Sequence, residues 1–216
     1  MAETGSQTLA RGLAALTMIG EAERPPSVPE VAAALGVHRS MAYRLVRTLE
    51  DQGFVVRDAS GLLHVGAKVV ALARRVSGDL TSVAAPELAT LADELGMTVC
   101  VVTYDGEEAV TLLSSEPRRD GATLAQRPGS RHSIDQGAPG RVIRSQLRPE
   151  AYPPARYETS HDEVIVGVSS IAVPLPLRTH APASLAVIYL NHHPVDVEAI
   201  AASLEQVAHR IARRVG

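Results

Sequence analysis

Leu9, Leu13, Leu16 and Ile19 recur at intervals of three and four, which predicts an amphipathic helix over about residues 8–22. Pro25 and Pro26 forbid its continuation. Ser27 stands three residues before Glu30, the spacing of a capping box, and Pro29 is tolerated in a first helical turn. Val31, Ala32 and Leu35 then supply the inward side of a short second helix that Gly36 closes, and Val37 packs in the turn. A third helix is predicted from about His38 to Gln52, with Ala42, Leu45, Val46 and Leu49 facing inward. After Gly53, residues 54–56 and 62–65 are strand-like runs separated by Asp58-Ala59-Ser60-Gly61, a predicted hairpin.

The pattern changes past residue 78. Leu88, Leu91 and Leu95 predict a helix over 83–95, and residues 97–104 and 108–115 predict two strands turned at Asp105-Gly106. Residues 117–131 read as loop with one short strand, and 138–147 as a helix. Two further strands are predicted at 167–178 and 183–190, turned at Thr179–Pro182. A terminal helix over 196–214 carries Val197, Ile200, Leu204, Val207 and Ile211 on one stripe. The predicted fold class is α+β, with an N-terminal winged helix-turn-helix, a linker helix and a C-terminal antiparallel-sheet domain. The predicted boundaries are 1–66, 67–78 and 79–216, with the break at Ser77-Gly78-Asp79.

At 216 residues, 45% hydrophobic and 21% charged, the composition excludes a disordered or collagen-like chain and suits one or two domains. No apolar run reaches the roughly 18–20 residues that span a bilayer. The opening MAETGSQTLARG lacks a basic segment followed by an apolar one, so a cytoplasmic protein without membrane partners is expected. Cys100, the single cysteine, lies in the apolar run TVCVVTY and reads as a buried thiol. The basic residues are 20 Arg and one Lys, Lys68, a compositional bias rather than a functional signal.

The net charge of −3 argues against a general nucleic-acid coat, but its distribution is uneven. Residues 1–78 balance at +2 and residues 79–216 at −5, and Arg39, Arg44, Arg47 and Arg57 fall within nineteen positions. Clustering matters because attraction to phosphate fades over roughly 8–10 Å. A helix that reads DNA must expose donors near its N-terminus while its far side docks on other helices. Arg39, Ser40, Tyr43, Arg44 and Arg47 occupy the outward side of the third helix, and Arg57 and His64 the hairpin. Arginine can fork onto guanine, hydroxyls add donors, and Arg47 and Arg57 are placed for phosphate. Any one exposed arginine is ordinarily a solvated face; it is the helix order, the glycine turn and the hairpin together that point to DNA.

The stretch from Ser27 through SVPEVAAALGVHRSMAYRLVRTLEDQGFVVRDASGLLHVGAKVVALA resembles the winged helix-turn-helix of IclR-type bacterial transcription factors, including the exit into a linker helix around Lys68–Val76. The resemblance implies that Ser40, Tyr43 and Arg44 enter the major groove, with Met41 where relatives usually carry Thr. GSRHSIDQGAPGRVI, YETSHDEVIVGVSSIAVPL and ASLAVIYL resemble the family's GAF/PAS-like effector domain. Carried over residue by residue, the pocket positions are Gly137, Ala138, Ser160, Val168, Ser170, Ile188 and Leu190. Family pockets that hold small oxo-acids present serines where Ile188 and Leu190 stand, so an apolar or aromatic effector is expected. Asp135 replaces a frequent His, and only 21 residues separate Arg141 from Glu163, where relatives carry a longer helical insertion. The abbreviation predicts an open or weak pocket, or a domain serving only oligomerisation.

The remaining chemistry is thin. His161-Asp162-Glu163 and His192-His193 lack metal-site spacing, Cys100 has no basic neighbour in sequence, and no nucleophile elbow or phosphate loop occurs. No catalysis, cofactor or metal is expected. The sequence therefore points to an effector-modulated regulator of double-stranded DNA, acting as a homodimer or homotetramer on operator half-sites roughly 34 Å apart, with repression the commoner sense in the family. Two alternatives differ in class. A protein-interaction adaptor would bind without steep salt dependence, and an enzyme would need an acid–base or nucleophilic set in the α+β domain that the sequence does not supply.

Overall fold

A computed structural model describes residues 5–76, 78–118, 124–177, 181–191 and 194–215. The chain divides into two compact units, Met1–Gly78 and Asp79–Gly216.

Unit 1 contains α1 (Gln7–Glu21), α2 (Val28–Ala34), α3 (Arg39–Asp51), β1 (Val55–Arg57), β2 (Leu63–Val65) and α4 (Ala67–Val76). The capping box at α2 forms as its spacing predicts. The Glu30 carboxylate accepts from the Ser27 amide at 2.7 Å and the Ser27 hydroxyl at 2.8 Å. The Ser27 amide, then its hydroxyl, then Arg24 hold the Glu30 carboxyl down to about 2. Gly36 at φ 59° turns the chain into α3, and Gly53 at φ 75° turns it out again, both in the left-handed region that glycine tolerates. Ala15, Ile19, Val28, Val31, Ala42, Val46, Val55 and Leu63 form one buried cluster under these elements. Leu49, expected inward, is half-buried at its edge. The predicted stripe on α1 is only half realised: Ile19 is buried and Leu16 packs against the cluster beside Ala15, while Leu9 and Leu13 are 63% and 55% exposed. The hairpin begins one residue later than predicted, since Phe54 still donates its amide to the Leu49 carbonyl and closes α3.

Unit 2 contains α5 (Gly78–Leu95), β3 (Thr98–Tyr104), β4 (Ala109–Ser115), β5 (Arg131–His132), α6 (Gly137–Leu147), β6 (Glu158–His161), β7 (Val168–Leu175), β8 (Ala183–Leu190) and α7 (Val197–Val215). Its six strands pair antiparallel in the order β5-β4-β3-β8-β7-β6. α5 begins five residues before the predicted start. β6 was not anticipated, because Glu158-Thr159-Ser160-His161 is a short polar edge strand without apolar alternation. Residues 179 and 180 of the predicted Thr179–Pro182 turn, and Ser77 of the predicted break, lie outside the described residues.

Alternation sorts the strands onto two faces. Val99, Val101, Ile171, Val173, Leu185 and Val187 pack in one cluster with α5 and α7. Cys100, Val102, Ala172 and Ala186 pack in another with Ala138, Val142 and Ile143 of α6. The second face is built from small side chains, so α6 lies close. A Cβ on Gly140 would meet the Ser133 carbonyl at 2.8 Å.

A tighter approach occurs in unit 1, where a Cβ on Gly66 would meet the Gly53 carbonyl at 2.3 Å. Gly66→Ala is therefore expected to destabilise unit 1 by ~1–3 kcal/mol, read as a lowered urea midpoint. Glu30 generates a pH prediction. Its folded carboxyl titrates below the ordinary 4.5, so its contribution is present above that value and disappears as pH falls towards 2. Glu30→Gln should flatten this acid dependence in far-UV circular dichroism.

Candidate nucleic-acid interface and effector cavity

α3 is docked on unit 1 by Ala42, Leu45 and Val46, which turns its opposite side to solvent. Arg39, Ser40, Tyr43, Arg44 and Arg47 are all exposed there, at the face predicted for them. Among the described residues Arg39, Arg44 and Arg47 form no ion pair. The helix start is organised by His38, whose Nδ1 accepts from the Ser40 amide at 3.3 Å and lies 2.9 Å from the Ser40 hydroxyl. Met41 is half-buried, with Arg11 Nη1 3.5 Å from its sulfur.

The hairpin differs from α3. Arg57 donates Nε and Nη2 to the two Glu50 carboxylate oxygens at 3.0 and 3.1 Å, a forked pair that ties β1 to α3. His64 Nε2 lies 3.0 Å from Asp58 Oδ2, and the other Asp58 oxygen accepts from the Ser60 and Leu62 amides. His64, then the Leu62 amide, hold the Asp58 carboxyl below its ordinary value. The two hairpin residues predicted for DNA thus have partners within the chain.

In unit 2 a cavity of about 70 Å³, room for a few waters, opens beside the N-terminus of α6. The predicted Ser160, Ser170 and Ile188 form one cross-strand row over β6, β7 and β8 and line it, as do Gly137 and Val168. Ala138 and Leu190 do not line it. Ala138 is fully buried and donates its amide to Ser170 Oγ at 3.3 Å, and Leu190 lies beside Val168, one pairing step beyond the row. The Ser160 and Ser170 hydroxyls are 2.6 Å apart.

Sequence reasoning missed most of the wall. Val164 and Ile165, themselves 46% and 52% exposed, reach the cavity from the loop after β6. Leu124, Ala125 and Gln126 close another side, stitched to the sheet by the Thr98 hydroxyl on the Leu124 carbonyl at 2.6 Å and by Gln126 Nε2 on the Thr111 hydroxyl at 2.9 Å. The threonines and serines on β3 and β4 were the signal that could have found this segment. His132 Nε2 is buried and has no hydrogen-bond partner among the described residues, and burial lowers the ring's pKa despite the opposing pull of Glu108.

The metal and nucleophile candidates disperse. His161 faces away from the cavity row, with Nδ1 2.8 Å from Ser169 Oγ, while Glu163 turns to α6. His192-His193 lies outside the described residues. Among the described residues no group of three or more His, Cys, Asp or Glu could hold a metal ion. Cys100 lines the cavity wall, but burial pushes its thiol up to about 12. No described helix is long and apolar enough to cross a membrane.

A winged helix-turn-helix with an exposed arginine face, followed by an antiparallel-sheet unit with a largely apolar cavity, defines the class of this chain. Residues 8–59 match the IclR helix-turn-helix domain. The chain is 30% identical over 152 residues to the HTH-type transcriptional repressor AllR of Salmonella paratyphi A, covering 69% of this chain and 56% of the relative. It therefore spans little more than half the length of the curated relatives it matches first. An IclR regulator from Alicyclobacillus acidocaldarius has the same fold at TM-score 0.82 and 24% identity, covering 98% of this chain and 100% of that one. An IclR homologue from Microbacterium hydrocarbonoxydans, crystallised with 4-hydroxybenzoate, aligns at TM-score 0.77 and 17% identity over 97% of this chain and 99% of that one. Residues 8–59 thus match the IclR helix-turn-helix domain, and the chain as a whole is similar to IclR-type regulators.

Cys100 provides a direct check on the sheet interior. A thiol-reactive dye should leave the native protein unlabelled at pH 8 and label one thiol after unfolding. Native labelling at the rate of a free thiol would contradict its burial.

Proposed function

We propose that this chain is a DNA-binding transcriptional regulator, a repressor in the sense of its AllR relative, that reads a double-stranded operator with α3 and responds to a small molecule held in unit 2. The observation that carries the proposal is the α3 face. Arg39, Arg44 and Arg47 stand exposed and without ion pairs among the described residues, on a helix whose other side is locked into a buried cluster. Such a helix can enter a major groove with its arginines not already engaged by carboxylates among the described residues. Ser40, Tyr43 and Arg44 are assigned to base edges, with Met41 beside them, and Arg39 and Arg47 to phosphates. Arg57 and His64 reach DNA only by leaving Glu50 and Asp58.

The effector site is assigned to the cavity wall at Gly137, Ser160, Val168, Ser170 and Ile188, with Ala138 and Leu190 supporting it from behind. The apolar lining supports a largely apolar or aromatic ligand. An effector would act by binding one arrangement of the protein better than another, and could shift DNA affinity by no more than that difference. We assign a homodimer or a dimer of dimers. Leu9 and Leu13 on α1, and Val70 and Leu72 on α4, are large apolar side chains left exposed in unit 1, which suits burial against a second copy. The protein would work in the cytoplasm, where its operator lies, with residues 1–66, 67–78 and 79–216 as reader, linker and effector domain. No catalytic step, cofactor or metal is assigned to either unit.

Binding to the DNA flanking its own gene, in a salt series with nonspecific competitor, tests the proposal. Competitor-resistant binding that weakens steeply with salt is the expected result. Salt-insensitive binding would favour an adaptor, and no binding at low salt would overturn the proposal. Arg44→Ala should weaken operator binding by about 1–3 kcal/mol and relax base preference. Arg57→Ala should weaken all sequences alike and reduce the salt slope by about one. An unchanged slope means that Arg57 stays with Glu50.

A further inference from the structure

The exposed side of α3 is rich in groups that can only donate. Arg39, Arg44 and Arg47 carry guanidinium N–H groups and no acceptor, and the first turn of the helix holds no acidic residue. Donors alone can bond to guanine O6 and N7, adenine N7 and thymine O4, but not to the amino groups of adenine or cytosine. Between Arg39 and Arg47 the only side-chain oxygens are the hydroxyls of Ser40 and Tyr43. What those two oxygens can do therefore decides whether the helix can recognise a base amino group.

A serine hydroxyl ordinarily donates or accepts, turning its proton to suit. At Ser40 that freedom is removed by His38. The Ser40 amide lies 3.3 Å from His38 Nδ1, and an amide N–H only donates, so Nδ1 presents its lone pair and carries no proton. The Ser40 hydroxyl lies 2.9 Å from the same nitrogen, so the proton between them is the hydroxyl's own. That single proton is committed within the chain, and the Ser40 oxygen keeps only acceptor capacity. His38 is held in place for this. It is the N-cap residue, with φ −63° and ψ 144°, and its carbonyl accepts from the Met41 and Ala42 amides at 2.9 and 3.2 Å. Ser40 is exposed, so a base edge can reach the oxygen. Tyr43 has no hydrogen-bond partner for its hydroxyl among the described residues and keeps both roles.

We propose that His38 is a positioning residue that makes Ser40 a fixed acceptor, so that Ser40 recognises a base amino group, adenine N6 or cytosine N4, in the major groove. This rests on the reading of α3 as the DNA-contacting helix. It reverses the donor role that the sequence pattern suggests for the hydroxyl. A guanine O6 or thymine O4 placed at that point would set lone pair against lone pair and is rejected.

Duplexes selected from a random pool by the whole chain, then remade with single-atom base analogues, test the polarity. Purine and pyrimidin-2-one nucleosides delete the amino groups of adenine and cytosine. 2-Aminopurine and 5-methylpyrimidin-2-one delete guanine O6 and thymine O4. At one base pair of each half-site, amino deletion is expected to weaken the wild type about threefold to tenfold, the contribution of one hydrogen bond, and to leave Ser40→Ala unaffected. Deletion of the carbonyl oxygens should weaken wild type and Ser40→Ala alike. His38→Ala frees the hydroxyl proton and should lose the distinction, whereas His38→Asn, whose Oδ1 can accept from Ser40, should restore it. The Ser40→Ala comparison carries the polarity by itself if His38→Ala does not fold by circular dichroism. If Ser40 senses a carbonyl oxygen in the wild type, if Ser40→Ala matches the wild type at every position, or if a folded His38→Ala keeps the distinction, the role given to His38 and Ser40 is overturned while the DNA reading stands. Failure of the wild type to enrich any duplex overturns the DNA reading and the proposal with it.

Discussion

The central strands of unit 2 are covered on both faces, and the two covers demand side chains of different size. Towards α5 and α7 the strands present Ile171, Val173, Leu175, Leu185 and Val187; towards α6 they present Cys100, Ala172 and Ala186. Close packing then lets α6 sit down on the alanines, with Gly140 against the Ser133 carbonyl. One row further along, Ser160, Ser170 and Ile188 meet only the beginning of that helix. Side chains there cannot fill the wedge between sheet and helix, and the space that remains is the cavity. The site is thus a consequence of how a helix is seated on a small-residue face.

Charge is distributed by the same economy of contacts in both units. In unit 1 Glu50 takes Arg57 and Asp58 takes His64, so the hairpin is largely self-neutralised while α3 keeps its arginines without ion pairs among the described residues. These exposed pairs contribute little to stability, typically below about 1 kcal/mol each. Their effect is on position: Glu50 and Arg57 fix the hairpin against α3 and leave the outward face of the helix as the concentrated positive surface. In unit 2 Arg141 is drawn into Glu158, Glu163 and the edge strand, which spends its charge on holding β6 and its loop.

Much of this was legible in the chain because it depends on local rules. Ser27 and Glu30 at three-residue spacing make a capping box whatever surrounds them, and Asp105-Gly106 between two alternating runs makes a hairpin. The outward side of α3 followed from its 3.6-residue period once Ala42, Leu45 and Val46 were taken as the inward one. The resemblance to a family supplied the cavity's central row. Local rules failed where a residue's place is decided by distant partners. β6 has no apolar alternation because it is a polar edge strand, and it is defined by pairing with β7. Leu9 and Leu13 obey the helical period yet stay exposed, since α1 is anchored by Ala15 and Ile19.

Periodicity, capping and turn chemistry in the sequence by themselves determined most of the elements, β6 excepted, and the apolar side on which α3 docks, because each rests on residues within a few positions of one another. Only the tertiary structure decided which arginines remain without an ion pair, that residues 124–126 and Val164–Ile165 wall the cavity, and that Glu163 occupies the head of α6. The cavity outcomes depend on groups 15 to 26 positions apart meeting across a sheet, and on the volume left between a sheet and a helix, neither of which has a period that a sequence can display.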